Sequence, residues 1–190
     1  MLLFPSRTMT FYRRNLPHWH PPGQDIFITW RLHGSLPSQF RPKRQTEQSA
    51  GQAFVDYDRA LDRAQTGPLW LKIPEVAQAV LTALETAQRR KLFTLRAFTV
   101  MANHIHVLLS PQSPLAEITQ QIKGVTAREA NRILHRSGAA FWQDESFDHW
   151  IRGPEEASRI RSYIERNPVA AGLAKRPENW PWSSASRPIE

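Results

Sequence analysis

The sequence contains no cysteine among its 190 residues. Thiol nucleophiles, iron–sulfur clusters and cysteine-ligated zinc are excluded, and no disulfide supports the fold. A single domain of this length buries roughly 70 % of its unfolded surface and needs no cross-link. No run approaches about 18 apolar residues, so no membrane-spanning helix is expected. Met1 to Arg14 is too short and, beyond Phe4, too polar for a secretory signal, so the chain reads as an intracellular, cytoplasmic protein. Internal repeats, low-complexity tracts and a phosphate-cradling glycine loop are also missing. Lysine is scarce, with 5 Lys against 20 Arg.

What is present is positive charge carried by arginine. The formal net charge is +8, from 25 basic and 17 acidic residues. Arginine binds phosphate through two parallel hydrogen bonds and stacks on bases, so a polyanion such as DNA or RNA is an obvious partner. An arginine-rich proteome gives the same composition without any such partner. Apolar residues make up 41 %, enough for one core but cramped for two, so residues 1–190 read as a single domain.

Residues 13–24 look like an irregular lead-in. Ile26–Leu32 reads as a strand, ended by Gly34 to Pro37, and the basic stretch 40–49 as an exposed loop. Phe54, Tyr57, Ala60 and Leu61 have helical spacing over 51–64. A second helix runs over 74–90, with Pro74 in its first turn, Glu75 at its amino end and a stripe of Val76, Val80, Leu84 and Ala87. Residues 92–100 and 104–110 form a hairpin. Ser113 and Pro114 then open a helix as cap and first residue, with Leu115, Ile118, Ile122, Val125 and Ile133 on its buried side. Residues 141–151 fit a strand or a packed loop. Pro154, Glu155 and Glu156 start a last helix that is expected to stop at Pro168. The tail around Trp180–Ser184 is apolar and rigid and should pack back. This order suits an α+β, ferredoxin-like antiparallel sheet with helices on one side, extra helices and a C-terminal tail.

His104 and His106 are two apart on a strand, so their imidazoles share a face and can bind one divalent ion. They can equally be ordinary strand histidines. Tyr163 and Asn167 are four apart on the last helix and also share a face. A tyrosine hydroxyl can act as a covalent nucleophile when its target is polarised, and an Asn side-chain oxygen can join a metal shell. Tyr163 can also be a packing residue. Lys123, Arg128, Arg132 and Arg152 are candidates for DNA backbone contact. Arg128, Arg132 and Arg136 recur every four residues, which fits a nucleic-acid stripe or a plain solvated face. Arg152 can instead pair with Asp148 or Glu155. Trp142, Phe147 and Trp150 can stack on bases or pack, with packing favoured for at least two of them. His149 reads as structural.

The blocks MANHIHVLL, WQDESFDHWIR, YIERNPVAAGL and WPWSS, in this order, resemble the REP-associated tyrosine transposases, a branch of the single-tyrosine HUH (IS200-like) family. The amino-terminal YRRNLPHWHPPG, FITWRLHGSLP and GPLWL resemble one subgroup, so the likeness spans about residues 12 to 185. It implies metal-dependent cutting and rejoining of single-stranded hairpin DNA through a 5′-phosphotyrosine. Tyr163 matches the nucleophile, His104 and His106 the metal ligands, and Asn167 the third ligand. The implied metal is Mg²⁺ or Mn²⁺, the implied protein is a monomer or homodimer, and it would be nucleoid-associated when bound to DNA. Ala102 stands where proline is usual, and Glu145-Ser146-Phe147 is a variant block. A non-catalytic nucleic-acid binding module and a metal-dependent hydrolase using water are the competing readings.

Overall fold

The computed structural model describes residues 10–13, 17–20, 23–37, 50–63 and 67–189. The expected loop over 40–49 lies outside them. The lead-in is less irregular than expected: β1 (Thr10–Arg13) and β2 (Pro17–His20) form an antiparallel ladder. Then follow β3 (Ile26–Arg31), α1 (Ala50–Asp62), α2 (Pro74–Arg89), β4 (Phe93–Val100), β5 (His104–Pro111), α3 (Leu115–Ile133), β6 (Phe147–Trp150) and α4 (Pro154–Ala170).

The main sheet has the order β4-β5-β3-β6, with every neighbouring pair antiparallel. This is the ferredoxin-like arrangement expected from the sequence. Period-two alternation splits the strands between two cores. Ile26, Ile28 and Trp30 of β3 and Ile105, Val107 and Leu109 of β5 pack under α2 and α3. Phe27, Ala97 and Leu108 point the other way, into a smaller core with Phe54 of α1 and Ile164 of α4. The expectation of helices on one side therefore holds for α2 and α3, while α1 and α4 cover the opposite face. With both faces covered, β3 and β5 bury side chains on both sides, including the polar Thr29, His104 and His106.

Three local readings change. Pro114, not Ser113, is the N-cap of α3, and no side chain caps that end. The Ser113 amide is engaged instead, donating to the Leu92 carbonyl. Val125 is 49 % exposed rather than on the buried side. The buried stripe of α3 runs through Leu115, Ile118, Ile122, Thr126 and Ala130, and Val125 lies outside it. Pro168 does not end α4, which continues to Ala170. A proline inside a helix removes one intrahelical donor and crowds the preceding turn. The buried Pro168 ring and the bond from the Leu173 amide to the Pro168 carbonyl compensate. The tail packs as expected, with Val100 donating to the Trp182 carbonyl at 2.8 Å and Trp180 Nε1 to the Val100 carbonyl at 2.9 Å. Ser184 Oγ also donates to Glu165 Oε1 of α4 at 3.0 Å, so the tail ties α4 to the sheet.

Gly67 has φ of +79°, and a Cβ there would lie 2.1 Å from the Gly34 carbonyl oxygen. Gly67→Ala is expected to destabilise the protein by about 2–5 kcal/mol, combining left-handed backbone strain with a clash against fixed backbone. An unchanged denaturant midpoint would contradict this packing.

Candidate active site

The face of the sheet under α1 and α4 carries the site. Thr29 of β3 pairs in register with His106, and Arg31 with His104, which sets both imidazoles on the α1 side of β5. Both histidines are fully buried. Asn103 Nδ2 donates to the Leu61 carbonyl at 3.0 Å, which fixes the amide and turns its Oδ1 to His104 Nδ1, 2.7 Å away. His104 Nδ1 must then carry the proton, leaving the Nε2 lone pair facing the site. His106 Nδ1 lies 2.7 Å from Thr29 Oγ1, so its Nε2 also turns inward. The two Nε2 atoms are 3.1 Å apart.

Asp58 of α1 completes the cluster. Its Oδ1 is 3.2 Å from His106 Nε2 and 3.5 Å from His104 Nε2. Asp58, His104 and His106 form the candidate metal-holding group among the described residues. The donor set suits a divalent cation. Two imidazole lone pairs and a carboxylate oxygen converge, and Asp58 Oδ1 is buried with no hydrogen-bond partner. Adjacent ligands on a small octahedral ion lie about 3 Å apart, close to the spacings seen here. Asp62, one turn further along α1, places Oδ1 3.8 Å from His104 Nε2.

Tyr163 and Asn167 arrive from α4. The Tyr163 hydroxyl donates to Asp58 Oδ2, and Asn167 Nδ2 donates to the same oxygen at 3.0 Å. Asn167 Oδ1 is buried without a partner. The structure thus brings Tyr163, His104, His106 and Asn167 together, around a residue that the sequence reading passed over. Phe27, Phe54 and Phe147 wall the site, with Phe27 stacked on His106 at 5.6 Å between ring centres.

Burial sets the electrostatics. Burial and the neighbouring His106 push His104 down to about 3, against the pull of Asp58, so it is neutral. Burial alone would raise Asp58, but the neighbouring His106, chiefly, and the hydrogen bond from the Tyr163 hydroxyl outweigh it and hold the carboxyl far below its usual range. Tyr163 is raised by burial and by the Asp58 charge beside it. Asp62 is raised to about 7 by burial and by Asp58.

A pH effect follows. A His with a depressed folded pKa contributes stability above pH 6.5 that is lost on acidification toward pH 3. Asp62, raised to about 7, contributes in the opposite direction, fully below pH 3.8 and vanishing as pH rises through 7. Between about pH 6.5 and 4.5 the two slopes oppose. In metal-free protein, Asp62→Asn is therefore expected to steepen the acid loss of stability by up to about 1.4 kcal/mol per pH unit. Urea melts across that range, superimposable for the two proteins, would refute the balance.

The remaining candidates lie elsewhere. Lys123 Nζ donates to the carbonyls of Gln143 (2.9 Å) and Asp144 (3.0 Å), bracing the loop before β6. Arg128 and Arg132 are exposed on α3, across the sheet from the histidines, and Arg132 pairs with Glu129 at 2.6 Å. Arg136 lies beyond α3, stacked over Trp70 at 3.7 Å, so it leaves the expected stripe. Arg152 lies over the Trp150 ring at 5.6 Å. Trp142 is buried and donates to Thr126 Oγ1 at 2.8 Å, a packing role. Phe147 packs on Phe54 at 4.3 Å. His149 pairs with Glu156 at 3.1 Å, joining β6 to α4.

Asp58 was missed because its stripe was misassigned. The buried face of α1 is Phe54, Asp58 and Leu61, spaced four and three, with Tyr57 and Ala60 only half-buried. A carboxylate within an apolar stripe was the available signal.

The family model for the IS200-like transposases matches residues 71–167, just over half of the chain. The chain belongs to the IS200-like transposase family. A REP-associated tyrosine transposase of Escherichia coli (strain K12) is 25 % identical over 113 residues, covering 59 % of this chain and 66 % of that protein. A putative REP-associated tyrosine transposase of Haemophilus influenzae is 26 % identical over 106 residues, covering 50 % and 60 %. Both matches thus span slightly less than two thirds of the relatives' own lengths. The structure of a REP-associated tyrosine transposase bound to a REP hairpin superposes with a TM-score of 0.57 at 20 % identity, covering 94 % of this chain and 84 % of that one. The ferredoxin-like fold is shared with that transposase. Among the described residues, no helix of this IS200-like transposase is long and apolar enough to cross a membrane.

Proposed function

We propose that this protein is a divalent-metal-dependent strand transferase acting on single-stranded, hairpin-forming DNA, with Tyr163 as its nucleophile. The observation that carries the reading is the meeting of the Tyr163 hydroxyl and the inward-facing His104 and His106 nitrogens on one carboxylate, Asp58. REP-associated relatives and a hairpin-bound structure of the same fold support the DNA class.

His104 and His106 would hold Mg²⁺ or Mn²⁺, which when bound offsets negative charge on the scissile phosphate. Asn167 was the third ligand implied by the sequence resemblance. Tyr163 Oη bonds to phosphorus as the bond from phosphorus to the 3′ oxygen breaks. Asp58 Oδ2 orients the phenol, whose proton is released to water on the exposed side of Tyr163 as the bond forms, and the 3′ oxygen leaves as a hydroxyl by taking a proton back from water, so the proton count is unchanged. A second 3′ hydroxyl then attacks the 5′-phosphotyrosine, and Tyr163 recovers its proton. Each step exchanges one phosphoester bond for another, so no nucleotide hydrolysis is required. The partial exposure of Tyr163 and Asp62 marks the side from which DNA approaches, since His104, His106 and Asp58 are buried. Arg152 would contact the backbone near α4. Lys123, Arg128 and Arg132 would contact DNA away from the scissile phosphate, because the sheet separates α3 from the histidines.

The test is incubation with hairpin oligonucleotides bearing single-stranded arms, with and without Mn²⁺, followed by denaturing electrophoresis. A metal-dependent covalent protein–DNA species is expected. Cleavage with no such species would favour a hydrolase, and binding with no cleavage a non-catalytic module.

A further inference from the structure

Asp58 joins three elements far apart in sequence. It sits on α1, faces two histidines of β5, and accepts hydrogen bonds from two residues of α4. Its two oxygens are used differently. Oδ1 faces both Nε2 atoms and has no hydrogen-bond partner, whereas Oδ2 takes both donors from α4.

We propose that Asp58 is a protein ligand of the metal through Oδ1, beside His104 and His106, and, through Oδ2, the positioning residue for the Tyr163 hydroxyl, with Asn167 Nδ2 bracing the carboxylate. This rests on reading His104, His106 and Tyr163 as one site. Three arguments support it. A hard divalent cation prefers an anionic carboxylate oxygen to a neutral amide oxygen. Asn167 turns its amide N–H toward Asp58, and the reverse orientation would set two acceptor oxygens against each other. Finally, two neutral imidazoles and one carboxylate leave a divalent ion with net positive charge, which suits an anionic phosphodiester. Because both tasks fall on one rigid carboxylate, the phenol hydroxyl is held in a fixed relation to the metal-binding nitrogens. The device also makes α1, a helix outside the ferredoxin-like core, part of the site.

The experiment measures Mn²⁺ binding to the full chain without DNA, by the electron paramagnetic resonance signal of free Mn²⁺. Asp58→Asn keeps the side-chain shape and is expected to weaken Mn²⁺ by about 100-fold or more. Asp58→Glu, which restores the charge, should recover most of that affinity. Asn167→Ala, acting through Asp58, should cost about tenfold or less. Ultraviolet resonance Raman difference spectra against Tyr163→Phe isolate the Tyr163 phenol. Its strong-donor signature should weaken in Asp58→Asn and in Asn167→Ala alike. Wild-type Mn²⁺ affinity in Asp58→Asn, or a larger loss in Asn167→Ala than in Asp58→Asn, overturns the proposal. So does a Tyr163 signature indifferent to Asp58. Should Asp58→Asn not fold, the Asp58→Glu and Asn167→Ala comparisons still decide it. Failure of wild-type protein to form a DNA adduct would overturn the function proposed above while leaving these DNA-free measurements standing.

Discussion

Tyr163→Phe is expected to fold, to bind Mn²⁺ as the wild type does, and to form no covalent adduct with hairpin DNA. Strand cleavage should fall by at least about a thousandfold, the scale on which loss of a nucleophile is felt. The substitution removes one oxygen and keeps the ring. That ring packs edge-on against Phe27 (6.3 Å), Phe54 (6.0 Å) and His106 (5.9 Å) between centres, and those contacts survive. Asp58 Oδ2 loses one donor but keeps Asn167 Nδ2. The stability change should therefore stay at about 1.5–3 kcal/mol, the range for one lost hydrogen bond to a charged group. A Tyr163→Phe protein that still migrates as a DNA adduct would remove Tyr163 from the role proposed for it.

His106→Ala should have an effect of similar size on the metal. His106 supplies one of two inward-facing nitrogens, and no other described histidine is near enough to replace it. Mn²⁺ affinity is expected to fall by at least about 100-fold. The measurement is a melt with and without the ion. At a Mn²⁺ concentration about 100 times its dissociation constant, the wild type should gain roughly 2.7 kcal/mol, and the variant almost nothing. The substitution also empties a fully buried site and removes a ring stacked on Phe27, so the metal-free variant should melt earlier than the wild type. The two effects are separable, because one is read without the ion and the other as the increment it produces. An unchanged increment would place the metal elsewhere.

The fold was largely legible in the sequence. The β-branched and aromatic run Ile26–Leu32, the hairpin pattern over 92–110 and the 3.6-residue stripe of α2 mark their elements directly, and the order of these elements restricts the sheet to few topologies. Errors fell where local pattern competes with tertiary packing. Pro168 reads as a stop, yet the helix carries it because a buried ring and a later amide satisfy what it disrupts. Val125 reads as core, but it lies off a face defined by α2 and the sheet. The histidines, Tyr163 and Asn167 could be paired from the sequence because each pair lies on one element, where spacing fixes a shared face, whereas the roles expected of them came from the resemblance of the blocks that carry them.

Asp58 was legible only as a carboxylate within the apolar stripe of α1, because its partners lie on β5 and α4, and no periodicity within α1 reports what that helix is laid against. The sequence by itself determined the chemistry available: two imidazoles on one strand face, a phenol and an amide on one helix face, and no thiol. Only the tertiary structure decided that a carboxylate from a third element would stand between them. Spacing along one element constrains direction, whereas distance between elements is set by packing, and a site built from three elements exists only once they are packed.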